Sequence, residues 1–314
     1  CAATTQVSRS LGGRPFGRFG SLDPTTGGST ERTSLSGEWH RSQGTGRTSV
    51  SAYAVRYGLD LNSNFTYALE RPAQGDQFKQ TDERTVLGLD AEHRIEHDLG
   101  RWPFSTTVGL QLRHDRIRNG LYDGVARRIT GTVREDHIRE TMSGLWLQSA
   151  VEFSPTWRAV AGLRADHLAV RVDAISLPAN GGRARDAQLS PKLAVIWTAT
   201  PRTELFFNTG RGLHSNDARG QVARVDPRTG DPVDPVPGLV PQVGHELGLR
   251  TQAIPGLQLS VSLWSLRSAS ELVYIGDAGN TEASAGSRRR GLEISNRWQA
   301  TPWLLVDADF AFNH

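Results

Sequence analysis

TVGLQLRHD, the stretch from Thr107 to Asp115, decides how this sequence folds. Val108, Leu110 and Leu112 occupy every second position, and Thr107, Gly109, Gln111, Arg113 and Asp115 occupy the positions between. A period of two is the strand period, because successive side chains of an extended chain point to opposite faces. LQLSVSL repeats the pattern, with Leu257, Leu259, Val261 and Leu263 opposed to Gln258, Ser260 and Ser262. From Leu304 onward, Val306, Ala308, Phe310 and Phe312 oppose Asp307 and Asp309. No stretch carries a 3.6-residue repeat of comparable length.

About twelve alternating segments run near 31–41, 48–61, 82–94, 103–115, 138–153, 156–172, 188–199, 202–213, 242–252, 256–267, 288–298 and 303–313. Short connections (42–47, 95–102, 154–155, 200–201, 253–255, 299–302) alternate with long ones (62–81, 116–137, 173–187, 214–241, 268–287). An up-and-down antiparallel meander puts every other connection at the same end, so the tight turns gather at one end and the long loops at the other. Transmembrane β-barrels of the outer membrane have this asymmetry. Long structureless loops inside a compact soluble domain are uncommon. The expectation is an all-β fold, about twelve strands of a larger antiparallel transmembrane β-barrel. Leu110, Leu163, Leu249 and Val261 then stand on the lipid-facing rows.

Tryptophan placement is an independent test, because the amphipathic indole prefers the headgroup level of a bilayer. Trp39, Trp102, Trp157, Trp197, Trp298 and Trp303 lie within a few residues of a short connection, whereas Trp146 and Trp264 sit mid-strand. The opposite face carries both signs of charge, among them Arg84, Asp90, Arg113, Asp115, Arg164, Asp166, Lys192, Glu246 and Arg250. A dry core could not hold so many ions, but a watered lumen can, as cross-strand ladders.

Composition agrees. Only 37% of the 314 residues are hydrophobic, too few for a conventional core of this size. The 36 basic residues, of which only Lys79 and Lys192 are lysines, alternate with 33 acidic ones instead of gathering in one patch, which argues against nucleic acid as a partner. A lone cysteine, Cys1, leaves no internal disulfide framework and no multi-cysteine metal site. No window approaches 18 consecutive apolar residues, which excludes a transmembrane helix but not a membrane. The sequence opens on Cys without a charged-then-apolar leader and stops in the middle of an alternating run, so a fragment is expected.

Catalytic chemistry finds little support. There is no G-x-S-x-G elbow, Walker loop or H-E-x-x-H motif. His93 and His97 have helical ligand spacing, yet on a strand they stand roughly 13 Å apart. His214, Ser215 and Asp217 resemble a triad in order only, and residues this close make local turn bonds. The Arg288-Arg289-Arg290 run reads as a solvated face turned toward anionic lipopolysaccharide. No resident cofactor or metal is expected.

Six stretches resemble the barrel domain of TonB-dependent outer-membrane receptors: YGLDLNSNFTYAL (Tyr57 to Leu69), GDQFKQTDERTVLG (Gly75 to Gly88), LSPKLAVIWT (Leu189 to Thr198), RGLHSNDARG (Arg211 to Gly220), HELGLRT (His245 to Thr251) and RRRGLEISNRW (Arg288 to Trp298). The resemblance implies a barrel of about 22 strands closed by an N-terminal plug. It implies energised uptake of a scarce large solute, such as a siderophore-bound iron, through TonB, ExbB and ExbD in a Gram-negative outer membrane. No plug, TonB-contacting box or C-terminal aromatic strand is recognised, so residues 1–314 are expected to be part of one barrel domain. The haem branch's loop motifs are absent as well.

A passive porin is the alternative, and an outer-membrane barrel enzyme the third reading. A porin would fold a constriction loop inward and need no plug; an enzyme would need a Ser/His or carboxylate pair at one height on the outer wall, which no row supplies. The solute is expected to meet the long loops and upper lumen at Arg211, His214, Asn216, Asp217 and Arg219, with Arg164 and Asp166 at the top of another strand. The bland alternative is a loop base anchoring itself by side-chain-to-backbone bonds.

Overall fold

The computed structural model describes residues 23–98, 100, 102–275, 280–283 and 285–314. Twelve strands form one antiparallel meander: β1 (Gly27–Gln43), β2 (Gly46–Ser63), β3 (Phe78–His97), β4 (Phe104–Val125), β5 (Arg128–Ser154), β6 (Trp157–Ala174), β7 (Gly182–Thr200), β8 (Thr203–Ser215), β9 (Leu239–Thr251), β10 (Leu257–Ser268), β13 (Ser287–Thr301) and β14 (Leu304–Asn313). A separate two-stranded hairpin, β11 (Leu272–Ile275) with β12 (Asn280–Ala283), lies in the connection between β10 and β13. Each of the twelve expected segments coincides with one of these strands, overrunning it by one residue at most, and β1 and β14 are the two edges of the sheet.

Register sorts the side chains into two faces. Leu110 lies opposite Leu145, Leu147 opposite Leu163, and Leu249 opposite both Leu205 and Val261, so the apolar rows of neighbouring strands align on one outer face. Leu145, Leu147, Leu163 and Leu189 keep half or more of their surface accessible, too much for a soluble protein to leave bare along a whole sheet. Near the short-turn end, the rings of Trp157 and Trp197 stack across the β6–β7 pair at 5.7 Å between centroids, and Trp102 meets Phe153 edge-on. Trp146 and Trp264 turn inward instead. Each lies over a cross-strand glycine, Gly109 and Gly291, where an added Cβ would collide with the indole.

Two expectations are corrected. Residues 116–137 are not a loop: β4 and β5 continue as a ribbon to a two-residue turn at Ala126 and Arg127, with φ of 48° and 67°. Such a primed turn suits the twist of a hairpin but strains residues other than glycine. It is held by the Arg127 backbone N–H, which donates to Gln77 Oε1 at 2.6 Å, and by Arg127 Nε, which donates to the Thr25 carbonyl at 2.7 Å. Likewise 173–187 shortens to the connection 175–181, with one 3-10 turn at Pro178–Asn180.

The second correction concerns the inner face, where charges were expected to pair across strands. Four pairs run along one strand instead, Arg84 with Asp82, Arg113 with Asp115, Arg134 with Asp136 and Arg164 with Asp166, while Arg297 pairs across strands with Asp307 at 4.0 Å, as expected. Residues two apart share a face about 7 Å from one another, a gap the long arginine spans with both arms of its fork. Amides make the links between strands: Gln111 donates to Asp90 at 2.7 Å and accepts from Arg164 at 2.7 Å, and Asn119 donates to Asp82 at 3.2 Å.

Candidate functional site

The long connection between β8 and β9, residues 216–238, folds back over the inner face. β8 pairs with β7 only as far as Gly210, and beyond that point it remains paired with β9 alone. The freed segment carries Ala218, Val222 and Leu239 onto Ile138 of β5 and Leu168, Val170 and Val172 of β6, forming the main buried apolar cluster. The apolar row of β6 therefore changes face along its length. Leu163 points outward, half exposed, whereas Leu168, Val170 and Val172 point inward and are buried beneath the loop.

Hydrogen bonds fix the loop in this position. Asn180, 1% exposed, accepts from the backbone N–H groups of Arg224 (2.8 Å) and Val225 (3.0 Å), and its amide donates to the Val225 carbonyl at 2.8 Å. Asn216 donates to the Pro237 carbonyl at 2.7 Å, which turns its Oδ1 toward His214, so His214 Nε2 is the donor at 2.9 Å. Gln221 donates to the Asn216 carbonyl at 3.0 Å. Asp217 accepts from both the backbone N–H and Nε of Arg219 at 2.8 and 2.9 Å, and Arg219 Nη1 donates onward to Asn119 Oδ1 of β4. Burial acts to raise the Asp217 carboxyl, but the hydrogen bonds and charge of Arg219 outweigh it and hold that group below the usual aspartate range.

Two adjoining cavities lie on the inner face, the first between loop and wall and the second beside it against β4 to β8 alone. One, about 540 Å³, is lined by Asn216, Asp217 and Arg219 from the loop and by Arg84, Arg113 and Glu140 among the wall residues. The other, about 530 Å³, is lined by Arg164, Asp166, Lys192, Arg211, Trp146 and Gln111 among others; Gln111 and Met142 border both. Among the described residues no carboxylate lies within ion-pair distance of Lys192 or Arg211, whereas Arg164 is held by Asp166. The second cavity thus carries excess positive charge.

Six of the seven residues singled out from sequence line these cavities. His214 lines neither; its Nε2 donates to Asn216, whose amide in turn bonds the Pro237 carbonyl. Sequence reading missed Asn119, Glu140 and Gln111. The alternation that would have exposed Asn119 fades in 116–137, where outward positions are polar as well.

The fold matches solved structures. The ferric citrate transporter FecA in its unliganded form superposes on 95% of this chain with a TM-score of 0.73 and 14% identity, over 44% of its own length. BauA, the ferric preacinetobactin receptor from Acinetobacter baumannii, matches 90% of the chain with a TM-score of 0.69 and 13% identity, again over 44% of its length. The metal-pseudopaline receptor CntO of Pseudomonas aeruginosa (strain UCBPP-PA14) is 26% identical over 240 residues, 72% of this chain and 31% of CntO. The chain spans about a third of the length of the curated relatives it matches. The family described as "TonB dependent receptor-like, beta-barrel" matches residues 3–314. This chain therefore belongs to the TonB-dependent receptor-like β-barrel family.

Proposed function

We propose that the full-length protein is an outer-membrane receptor that takes up a scarce metal complexed by an organic chelator, energised by TonB, ExbB and ExbD acting through a plug. Residues 1–314 supply part of its one barrel domain, the outer rows face lipid and lipopolysaccharide, and the long loops face the cell exterior. The observation that carries this reading is the two adjoining cavities on the inner face, both bearing charged side chains and one roofed by 216–238, inside the wall of a family whose relatives are named as receptors for metal complexes. With Lys192 and Arg211 lacking a carboxylate partner among the described residues, the solute presents carboxylate-like oxygens to the second cavity.

A passive porin remains the second reading, because an inward-folded loop, the mark expected of a porin, is present. Uptake of labelled metal–chelator complexes by cells with and without TonB separates the two. Uptake that disappears without TonB supports the receptor; undiminished uptake supports the porin. Within the receptor reading, Arg211→Gln with Lys192→Gln should weaken solute binding by about tenfold or more, the worth of charge-assisted hydrogen bonds to a partly enclosed anion. Unchanged affinity would remove these two residues from the site.

A further inference from the structure

Register also joins the outward residues of different strands into lateral rows. One row runs from Arg56 on β2 through Thr85, Arg116, Arg139 and Arg171 to Arg183 on β7, each directly opposite the next. Four arginines thus stand abreast on the consecutive strands β4 to β7, about 5 Å apart at the backbone. Directly opposed like charges destabilise a sheet, and nothing in the strand pattern requires them here. Arg171 has a carboxylate at hand, Asp173 Oδ1 at 2.9 Å. Arg56, Arg116, Arg139 and Arg183 are exposed, and among the described residues no carboxylate lies within ion-pair distance of them. Arg116 Nε donates a long hydrogen bond to His114 Nε2, at 3.5 Å.

The surroundings narrow the choice of partner. Toward the long-loop end, the next row holds Glu31, Glu83, Arg118, His137 and Asp173, and it borders a shallow outer groove of about 790 Å³ that Arg56, Arg116 and Arg139 also line. Two residues the other way, about 7 Å along each strand, the row is mixed, with Leu87, His114, Thr141 and Ala169. Beyond it come the exposed Leu110, Leu145, Leu147, Leu163 and Leu189. The arginines therefore form a cationic shelf at the upper edge of a continuous apolar surface. A small anion would use the shelf alone, whereas an amphiphile with a phosphorylated head uses both.

We propose that this row is a docking surface for the phosphorylated headgroups of the outer-leaflet glycolipid, lipopolysaccharide. Guanidinium forks grip the phosphates, and the acyl chains lie along the leucine rows below. Arginine suits this task because its planar fork takes two phosphate oxygens at once and keeps its charge at any physiological pH. The anion also relieves the repulsion within the row. This inference rests on the outer-membrane placement proposed above but not on the identity of the solute.

The test uses the full-length protein, purified in detergent and stripped of lipid, with three probes: lipid A bearing both phosphates, the same lipid without phosphates, and inorganic phosphate. The triple variant R116Q/R139Q/R183Q should bind the phosphorylated lipid at least tenfold more weakly than the parent, while R116K/R139K/R183K retains most of the affinity. Both proteins should bind the phosphate-free lipid equally weakly, and inorganic phosphate should not displace the bound lipid. Equal binding of phosphorylated lipid by parent and triple glutamine variant overturns the proposal. Displacement by inorganic phosphate at similar concentration reduces the row to an adventitious ion site only and overturns it too. Heat-dependent gel mobility reports whether the barrel has folded; if the triple variant does not fold, R116Q and R139Q singly should each cost about threefold, and no loss in either overturns the proposal. Failure of the parent to fractionate with the outer membrane sinks the placement itself, and TonB-independent uptake sinks only the receptor reading.

Discussion

Arg219, in the inward-folded connection, donates a hydrogen bond from Nη1 to Oδ1 of Asn119 on β4, a residue exactly one hundred positions earlier in the chain. Asn119 in turn donates to Asp82 on β3, so one chain of polar contacts ties the roof of the cavity to two strands of its wall. The loop is thereby part of the lumen surface, and its stability can be measured apart from that of the barrel.

Truncating the residue that clamps the loop should loosen it while the sheet persists. Asn180→Ala removes three hydrogen bonds and leaves the backbone groups of Arg224 and Val225 without their partner, at a cost of roughly 1–3 kcal/mol for each buried group left unpaired. Limited proteolysis should then cut within 224–236 faster than in the parent, with unchanged heat-dependent gel mobility of the barrel. Equal cleavage rates would remove Asn180 from this role.

Asp217 gives the loop a pH dependence of definite sign. Its folded carboxyl sits below the ordinary aspartate value of 3.8, so its stabilisation is complete above that value and is lost as pH falls through the lowered one. Arg219, Arg134, Arg84 and Glu140 are the charged groups acting on it or sensing it. Loop protection from an acid-active protease should stay flat from neutral pH down to the usual aspartate range and fall below it. Asp217→Asn should show reduced protection that no longer varies over that interval.

Face assignment is tested by a neighbouring pair on β4. Leu110→Arg puts a charge on the apolar outer face and should impair membrane insertion by roughly 2–4 kcal/mol near the bilayer midplane. Gln111→Arg points inward, beside Asp90, and should be mild. Recovery of each variant in the outer-membrane fraction reads the difference, and equal recovery contradicts the assignment.

Orientation is tested by labelling a protein whose Cys1 has been replaced by serine. Thr229→Cys, exposed in the connection between β8 and β9, should react with an impermeant maleimide on intact cells. Thr156→Cys, in the tight turn between β5 and β6, should react only after the outer membrane is opened. The reverse pattern would invert the topology.

The sequence by itself determined the strands, the meander and the two faces wherever a strand separates an apolar outer surface from a polar lumen. Val108, Leu110 and Leu112 against Gly109, Gln111 and Arg113 show why: alternation is legible only when the two sides meet different solvents. Above the outer apolar rows polar residues stand on both sides, as at Arg116, Arg118 and Asn119, and the contrast that marks a strand fades although the strand continues to Val125. The inward apolar row of Leu168, Val170 and Val172 was likewise visible as letters, but its change of face relative to Leu163 acquires meaning only once Ala218 and Val222 arrive on top of it. Only the tertiary structure decided that arrival, the Arg219–Asn119 contact and the arginine row. Each joins residues tens of positions apart through strand register, and register is set by the pairing of whole strands, which no local stretch of sequence records.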